Sequence, residues 1–478
     1  MTQIAAPEPT AETAPAAAPA GVTRPIPAAL FRLALPVLAS QALRLAYQWV
    51  DALWVRPLGV EATATVTTAI FVMWWVYALN DVISIGVTAY VSQLLGAGER
   101  ERAGAAAARG LLGSALLGLS GTALGLLGAS WVFSVMSPDR ALIATGGRYL
   151  AVMLAFAPLP MMGFTCESIM RAAGDTRTPF WIDLCAVALN ALLDPFLIYG
   201  WGPFPRLGVQ GAAWATVIAQ ATMVAGYFVM AARGHRAFPL ALRAPGTPIR
   251  FGAIVKVGIP AAIIGMMFSV VYIVFARAAS HFGPAAMAVV GIVNRIEAMQ
   301  FITSLAIGTA GAALVGQNLG AGRPERAVQV IRTGIGWNLW IAGSLTVLLM
   351  AFPQVFLQLF TRDPEALRLG IPYVRVLSLC LVINSMEIVS SEAVLGSGHT
   401  RVVSWIFTSF SLLRIPLALW SPAWGLGVVG IAWIITGTCM VRGLLIVGWV
   451  ARGSWKRGLS RELRGEEAVP ETGGGPMA

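Results

Sequence analysis

The chain has 478 residues, 57% hydrophobic and only 12% charged, with a mean hydropathy of +0.74. Soluble domains carry about 25% charged residues, so this composition excludes a soluble globular protein and describes an integral membrane protein. The net charge of +11 is then a matter of how Arg and Lys are shared between loops, and it is not read as nucleic-acid binding.

In chain order, residues 1–27 open with Ala, Pro, Thr and Glu and lack the charged, apolar and cleavage regions of a signal peptide. We expect them to form a disordered N-terminal tail. Apolar runs of the length needed to span a bilayer, about 17–25 residues, follow at 30–55, 63–94, 107–133, 147–170, 180–200, 210–231, 254–279, 286–317, 331–353, 371–395, 403–421 and 427–450. Alternate connections hold most of the Arg and Lys, among them Arg100, Arg102, Arg171, Arg177, Arg233, Arg236, Arg323, Arg326, Arg401 and Lys456. The intervening set is poorer, with Arg56, Arg140, Arg148, Arg206, Arg362 and Arg368. The positive-inside rule places the rich set and both termini in the cytoplasm. The expected fold is all-α, with twelve transmembrane helices.

The chain also repeats itself. "VSQLLGAGERERA" resembles "VGQNLGAGRPERA", and Pro36 to Pro260, Gly59 to Gly283 and Gly96 to Gly320 each differ by 224. After the fifth span the offset falls to 219, as in Gly208 to Gly427 and Trp214 to Trp433. Six spans followed by six related spans run parallel, so the halves relate by a pseudo-twofold along the membrane normal, an architecture of secondary transporters. The expected organisation is an N-lobe at 28–231, a cytoplasmic linker at 232–252, a C-lobe at 253–452 and a cytoplasmic tail at 453–478.

Polar residues present in one half only are candidates for function. Asp51 pairs with Phe275 across the repeat, Asn190 with Arg414 and Asp194 with Ala418. Within "DLCAVALNALLDP", Asp183, Asn190 and Asp194 fall on one helix face. If span one packs there, Asp51, Asn190 and Asp194 meet in one pocket. Such a group can take a proton, or bind Na⁺ through carboxylate and amide oxygens. The bland alternative is that both acids are interfacial. Arg44, Arg277 and Arg414 read as structural. Glu297, Glu387 and Asn384 are candidates for lining a C-lobe cavity, and Met161 and Trp75 for an apolar substrate cavity, although packing or lipid contact suits most such residues as well. The glycines of "GLSGTALGLLG" read as a close helix contact. No phosphate-binding loop, HExxH or Ser/His/Asp set occurs, and the four Cys and three His have no metal-ligand spacing. We therefore expect no enzymatic activity and no cofactor.

The chain resembles the multidrug and toxic compound extrusion (MATE) transporters over about residues 28–452. The likeness rests on "LALPVLASQ", "WVDALWVRPLG", the two "LGAG" turns, "RAAGDTRTP" with "GSGHTRVV", "NALLDPFLIYG" and "GVQGAAWAT". This resemblance implies a V-shaped bundle of two six-helix lobes. It also implies a monomer in a bacterial inner membrane that exports organic, often cationic, compounds in exchange for H⁺ or Na⁺. In the bacterial branch typified by DNA-damage-inducible protein F, the first-lobe cation site matches Asp51, Asn190 and Asp194 here. Thr216 matches a span-six threonine, and Pro36 a span-one proline near which the helix bends. The NorM-type branch carries a span-ten Asp where this chain has Asn384, and its span-seven Glu has no acidic match. A flippase for a lipid-linked sugar, from a related class, is the alternative reading.

Overall fold

The computed structural model describes residues 20–136, 139–241 and 249–459. The chain forms α1 (Ile26–Val55), α2 (Val60–Gly96), α3 (Arg100–Met136), α4 in two pieces (Arg140–Ala155 and Pro158–Ala172), α5 (Arg177–Tyr199) and α6 (Val209–Ala232). The second half gives α7 (Phe251–Ser280), α8 (Pro284–Gly320), α9 (Pro324–Ala351), α10 in two pieces (Pro364–Ser378 and Leu381–Leu395), α11 (Thr400–Trp420) and α12 (Val429–Arg452). Among the described residues, nine helices are long and apolar enough to cross a membrane. The bent pairs of α4 and α10 supply one span each. The 30-residue α7, apolar over Phe251–Met267, completes twelve.

The fourth and tenth spans are expected as single runs, but each is broken, by 47° and 51°. Pro158 begins the second piece of α4, where a proline has no N–H for the preceding turn. The tenth span bends at Leu379 and Cys380 without a proline, so packing sustains that break.

The repeat is written into the backbone. Left-handed glycines recur at its offsets: Gly59 and Gly283, Gly98 and Gly322, Gly174 and Gly398, Gly208 and Gly427. Asp139 and Asp363, also 224 apart, each cap a helix by accepting from a backbone N–H two residues on. Two of the four glycines in "GLSGTALGLLG" do mark close contacts. A Cβ at Gly118 would lie 2.4 Å from the Pro158 backbone, and one at Gly125 would lie 2.5 Å from Leu154.

Apolar packing defines how the lobes meet. At the Arg-poor end, one cluster is built from α1–α6 alone (Val55, Val66, Phe133, Leu150, Ile198) and another from α7–α12 alone (Phe275, Val289, Tyr373, Ile431). At the Arg-rich end the clusters cross. Ile26, Leu30 and Leu33 of α1 join Ile307, Leu314 and Val330, while Ile254 and Val257 of α7 join Ile83, Val87 and Tyr90. The lobes are therefore joined at the Arg-rich end and separate at the other, which is a V.

A reciprocal pair of hydrogen bonds closes the joined end. Gln93 Nε2 donates to the Gly396 carbonyl and Gln317 Nε2 to the Ala172 carbonyl, both at 2.8 Å. The pairs Gln93/Gln317 and Ala172/Gly396 are each 224 residues apart, so this is one contact repeated by the pseudo-twofold. Glycine permits the approach: a Cβ at Gly320 would lie 1.9 Å from the Gln93 carbonyl, and one at Gly96 would lie 2.1 Å from that of Gln317.

The expected tails are partly ordered. Residues 1–19 and 460–478 lie outside the described residues, but Ala20–Thr23 forms a helical turn. The Gly21 carbonyl accepts from Asn318 and that of Val22 from Arg323. At the other terminus Trp455 is buried, and the Leu459 N–H donates to Gln93 Oε1 at 2.8 Å. Each terminal segment thus bonds to the opposite lobe, satisfying buried polar groups that the composition of the segments does not advertise. Part of the expected linker, 242–248, also lies outside the described residues.

Removing either glutamine amide should loosen the joined end. A net hydrogen bond contributes about 0.5–1.5 kcal/mol, so Gln93→Ala should raise maleimide labelling of a cysteine introduced at Ile254 severalfold, and Gln93→Ala with Gln317→Ala should raise it further. Labelling that stays at the parent level in the double variant would refute the seal.

Candidate functional site

The acidic pocket lies in the first lobe, between α1, α5 and α6. The α1 helix carries Asp51 in its last turns and Tyr47 one turn earlier. The α5 helix carries Asp183, Asn190 and Asp194 on one buried face, as their spacing predicts. Asp51 is 8% exposed, and Asn190 and Asp194 are fully buried. The Asp51 and Asp194 carboxylates oppose each other directly. Asp51 Oδ1, both oxygens of Asp194 and both polar side-chain atoms of Asn190 have no hydrogen-bond partner among the described residues.

Two facing carboxylates in apolar surroundings are not tolerated as two bare charges. A proton shared between them removes the repulsion. A small cation held by carboxylate and amide oxygens does the same. The oxygens left without protein partners are the ones such a proton or cation would occupy.

The walls are aromatic and hydroxylic. Tyr47 Oη donates to Thr216 Oγ1 at 2.8 Å, which brings α6 to the pocket. Tyr77 and Tyr149 lie within electrostatic range of Asp51. Tyr199 donates to the Trp54 carbonyl, tying the ends of α5 and α1 together. Trp54 packs edge-on against Tyr199 at 6.3 Å and Trp201 at 6.2 Å. These rings cover the pocket at the Arg-poor end. The sequence reading missed Tyr47 and the aromatic cover. Their signal was there, since Tyr47 and Trp54 sit four residues before and three after Asp51, on the same helix face.

A second ionic group lies two turns along the same helices. Arg44 of α1 contacts Glu167 of α4 and lies 3.7 Å from Asp183. Arg171 holds the other oxygen of Glu167 at 2.6 Å. The guanidinium of Arg44 also sits 4.7 Å above the Phe164 ring. Arg44 is thus paired with acids, with Glu167 and Asp183 as its partners.

The remaining candidates do not join this pocket. Glu387 is tied to Arg442 at 2.7 Å inside the C-lobe, and Asn384 Oδ1 lies 3.8 Å from Cys439 Sγ. Glu297 is half-buried among Val293, Ile296, Val374 and Leu377, near Tyr373 and Cys380. Met161 is 1% exposed and packs in the N-lobe core beside Tyr149 and Met153, a position that suits a flexible side chain. Trp75 is largely exposed on α2. Pro36 sits within an unbroken α1.

Known proteins share this sequence pattern and this fold. The MatE family profile matches residues 36–196 and 260–420, the two repeat halves. An FAD transporter of Shewanella oneidensis is 28% identical over 83% of this chain and 88% of its own length. A probable multidrug resistance protein NorM of Thermotoga maritima is 27% identical over 93% of this chain and 96% of its own. Among solved structures, a MATE protein in its bent conformation superimposes with a TM-score of 0.84 at 22% identity, covering 91% of this chain and 97% of that one.

The Arg44 cluster sets a stability prediction. Arg44→Met leaves Asp183 buried with an oxygen that has lost its cation, a loss of about 1–3 kcal/mol. Adding Asp183→Asn should recover part of it. Denaturant unfolding in detergent measures both; independent, additive losses would show that Arg44 and Asp183 do not interact.

Proposed function

The chain belongs to the MatE family, and on that premise we propose that it is a secondary transporter exporting organic compounds in exchange for entering H⁺ or Na⁺. Its relatives carry the names of a multidrug resistance protein and an FAD transporter, so the proposed cargo is organic. The observation that carries the reading is the opposed Asp51–Asp194 pair with Asn190, buried in one lobe of a bundle joined only at its other end.

In this reading the Arg-rich end faces the cytoplasm of a bacterium, both termini lie there, and the chain acts as a monomer. The V then opens outward. An entering ion neutralises Asp51 and Asp194; Na⁺ would take oxygens of Asp51, Asp194 and Asn190, with Thr216 fixing Tyr47 at the wall. Neutralisation removes the need for polar surroundings, so α1 and α5 repack and cargo is released outward. The lobes then part at the Gln93–Gly396 and Gln317–Ala172 contacts and close at the other end. Coupling follows only because ion and cargo prefer different states.

The test uses purified protein in sealed liposomes with a fluorescent organic cation, under an imposed proton gradient and then a sodium gradient. Wild type should respond to one of them, and Asp51→Asn should abolish that response while keeping the wild-type elution profile. Undiminished export by Asp51→Asn would refute the ion site. No response to either gradient, with turnover of a lipid instead, would favour a flippase.

A further inference from the structure

The C-lobe holds a buried charge cluster at the repeat position of the acidic pocket, with the opposite sign. Arg414 of α11 stands where α5 carries Asn190, and Ala418 where α5 carries Asp194. Arg414 is 7% exposed and Arg442 of α12 is 4% exposed. Arg414 Nε donates to Thr438 Oγ1 at 2.8 Å, and Nη2 reaches Cys439 Sγ at 2.9 Å and the Ile435 carbonyl at 3.5 Å. These acceptors, a hydroxyl, a carbonyl and a cysteine sulfur, fix its direction, and none of them is a carboxylate.

One carboxylate serves two guanidiniums. Glu387 lies within electrostatic range of both arginines, but its contact is with Arg442, whose Nε is 2.7 Å from Glu387 Oε1. Among the described residues no carboxylate lies within ion-pair distance of Arg414. Arg442 Nη1, also buried, has no hydrogen-bond partner there, and its guanidinium lies 4.3 Å over the half-buried Phe407 ring. A guanidinium left uncompensated inside a membrane protein is costly and marks a substrate or ion path. Snorkelling does not relieve this one, because Arg414 is bonded inward to α12.

We propose that Arg414, supported by Arg442 and Phe407, forms an anion-accepting site in the C-lobe that takes the carboxylate or phosphate of an aromatic organic anion. The transporter then handles anionic as well as cationic cargo, each lobe receiving one sign of charge. This rests on the reading of the chain as an exporter of organic compounds, but it does not depend on the ion site at Asp51. A planar guanidinium suits carboxylate and phosphate oxygens, and the adjacent ring supplies a face for an aromatic body.

The experiment compares two fluorescent probes, ethidium as the cation and FAD as the anion, in liposomes of phosphatidylcholine alone, with FAD binding to detergent-purified protein measured in parallel. Wild type should bind and move both. Arg414→Gln should weaken FAD binding and flux roughly tenfold or more, the loss expected for one charge-assisted hydrogen bond, while ethidium flux stays within about twofold. Arg414→Lys should retain most FAD binding, which separates lost charge from lost fold. Cys439→Ser should bind FAD as wild type does; a loss equal to that of Arg414→Gln would assign the counter-charge to the thiol and overturn the proposal. Wild type that moves ethidium but neither binds nor moves FAD overturns it and leaves the exporter reading standing, whereas movement of neither probe overturns both. FAD flux that disappears when phosphatidylglycerol is added to the vesicles, with ethidium flux unchanged, would overturn the proposal and reassign the anion to a lipid headgroup.

Discussion

Two carboxylates held face to face in an apolar lobe govern the first half of this molecule. Unit charges about 4 Å apart repel by about 4 kcal/mol at an effective dielectric of 20, and burial adds a desolvation penalty for each. The pair is stable only with a neutralising partner, so its surroundings must admit one. That explains why the polar atoms of Asn190 and Asp194 are left without protein partners, against the usual rule for buried groups. It also explains why Trp54, Tyr199 and Trp201 cover the pocket without bonding to it. A site that saturated its own oxygens would be a rigid core and would have nothing to exchange.

The helix that carries Asp51 also carries part of the seal. Ile26, Leu30 and Leu33, at the start of α1, pack against α8 of the opposite lobe, while Asp51 lies near its end. Any change of packing at the acidic pair therefore reaches the lobe interface along one helix. Pro36 stands between the two regions, where it lacks the N–H that would bond to the preceding turn and leaves α1 easier to bend there. The symmetric glutamine contacts at the joined end are few and amidic, and hydrogen bonds of this kind can be exchanged for water at modest cost. The joint is thus weak enough to open and specific enough to re-form.

Much of this was legible in the chain. Twelve apolar runs, Arg-rich alternate loops and a constant 224-residue offset specify a two-lobed bundle, because bilayer thickness and repeat length leave few other solutions. The face of α5 followed from helical spacing alone. What escaped the reading depends on contacts between distant segments. The break at Leu379 and Cys380 has no proline to announce it. The order in residues 20–24 comes from Asn318 and Arg323, nearly three hundred residues away, and the role of Glu387 comes from Arg442 on another helix. The core position of Met161 was not legible either, because composition does not distinguish a flexible side chain in a core from one on a wall.

The internal repeat also shows which features the architecture requires and which are free to change. Left-handed turn glycines, aspartate caps and the glutamine seal recur in both halves, because each serves a backbone geometry common to both lobes. The polar positions of the acidic pocket do not recur. Asn190 and Asp194 face Arg414 and Ala418 across the repeat, although α5 and α11 hold the same place in their lobes. A helix position that packs through small and apolar neighbours can exchange its charged side chain without disturbing the fold, provided new acceptors such as Thr438 and Cys439 arise opposite it. Duplication thus supplied two equivalent buried helix faces on one scaffold, and substitutions at a few positions gave them side chains of opposite charge.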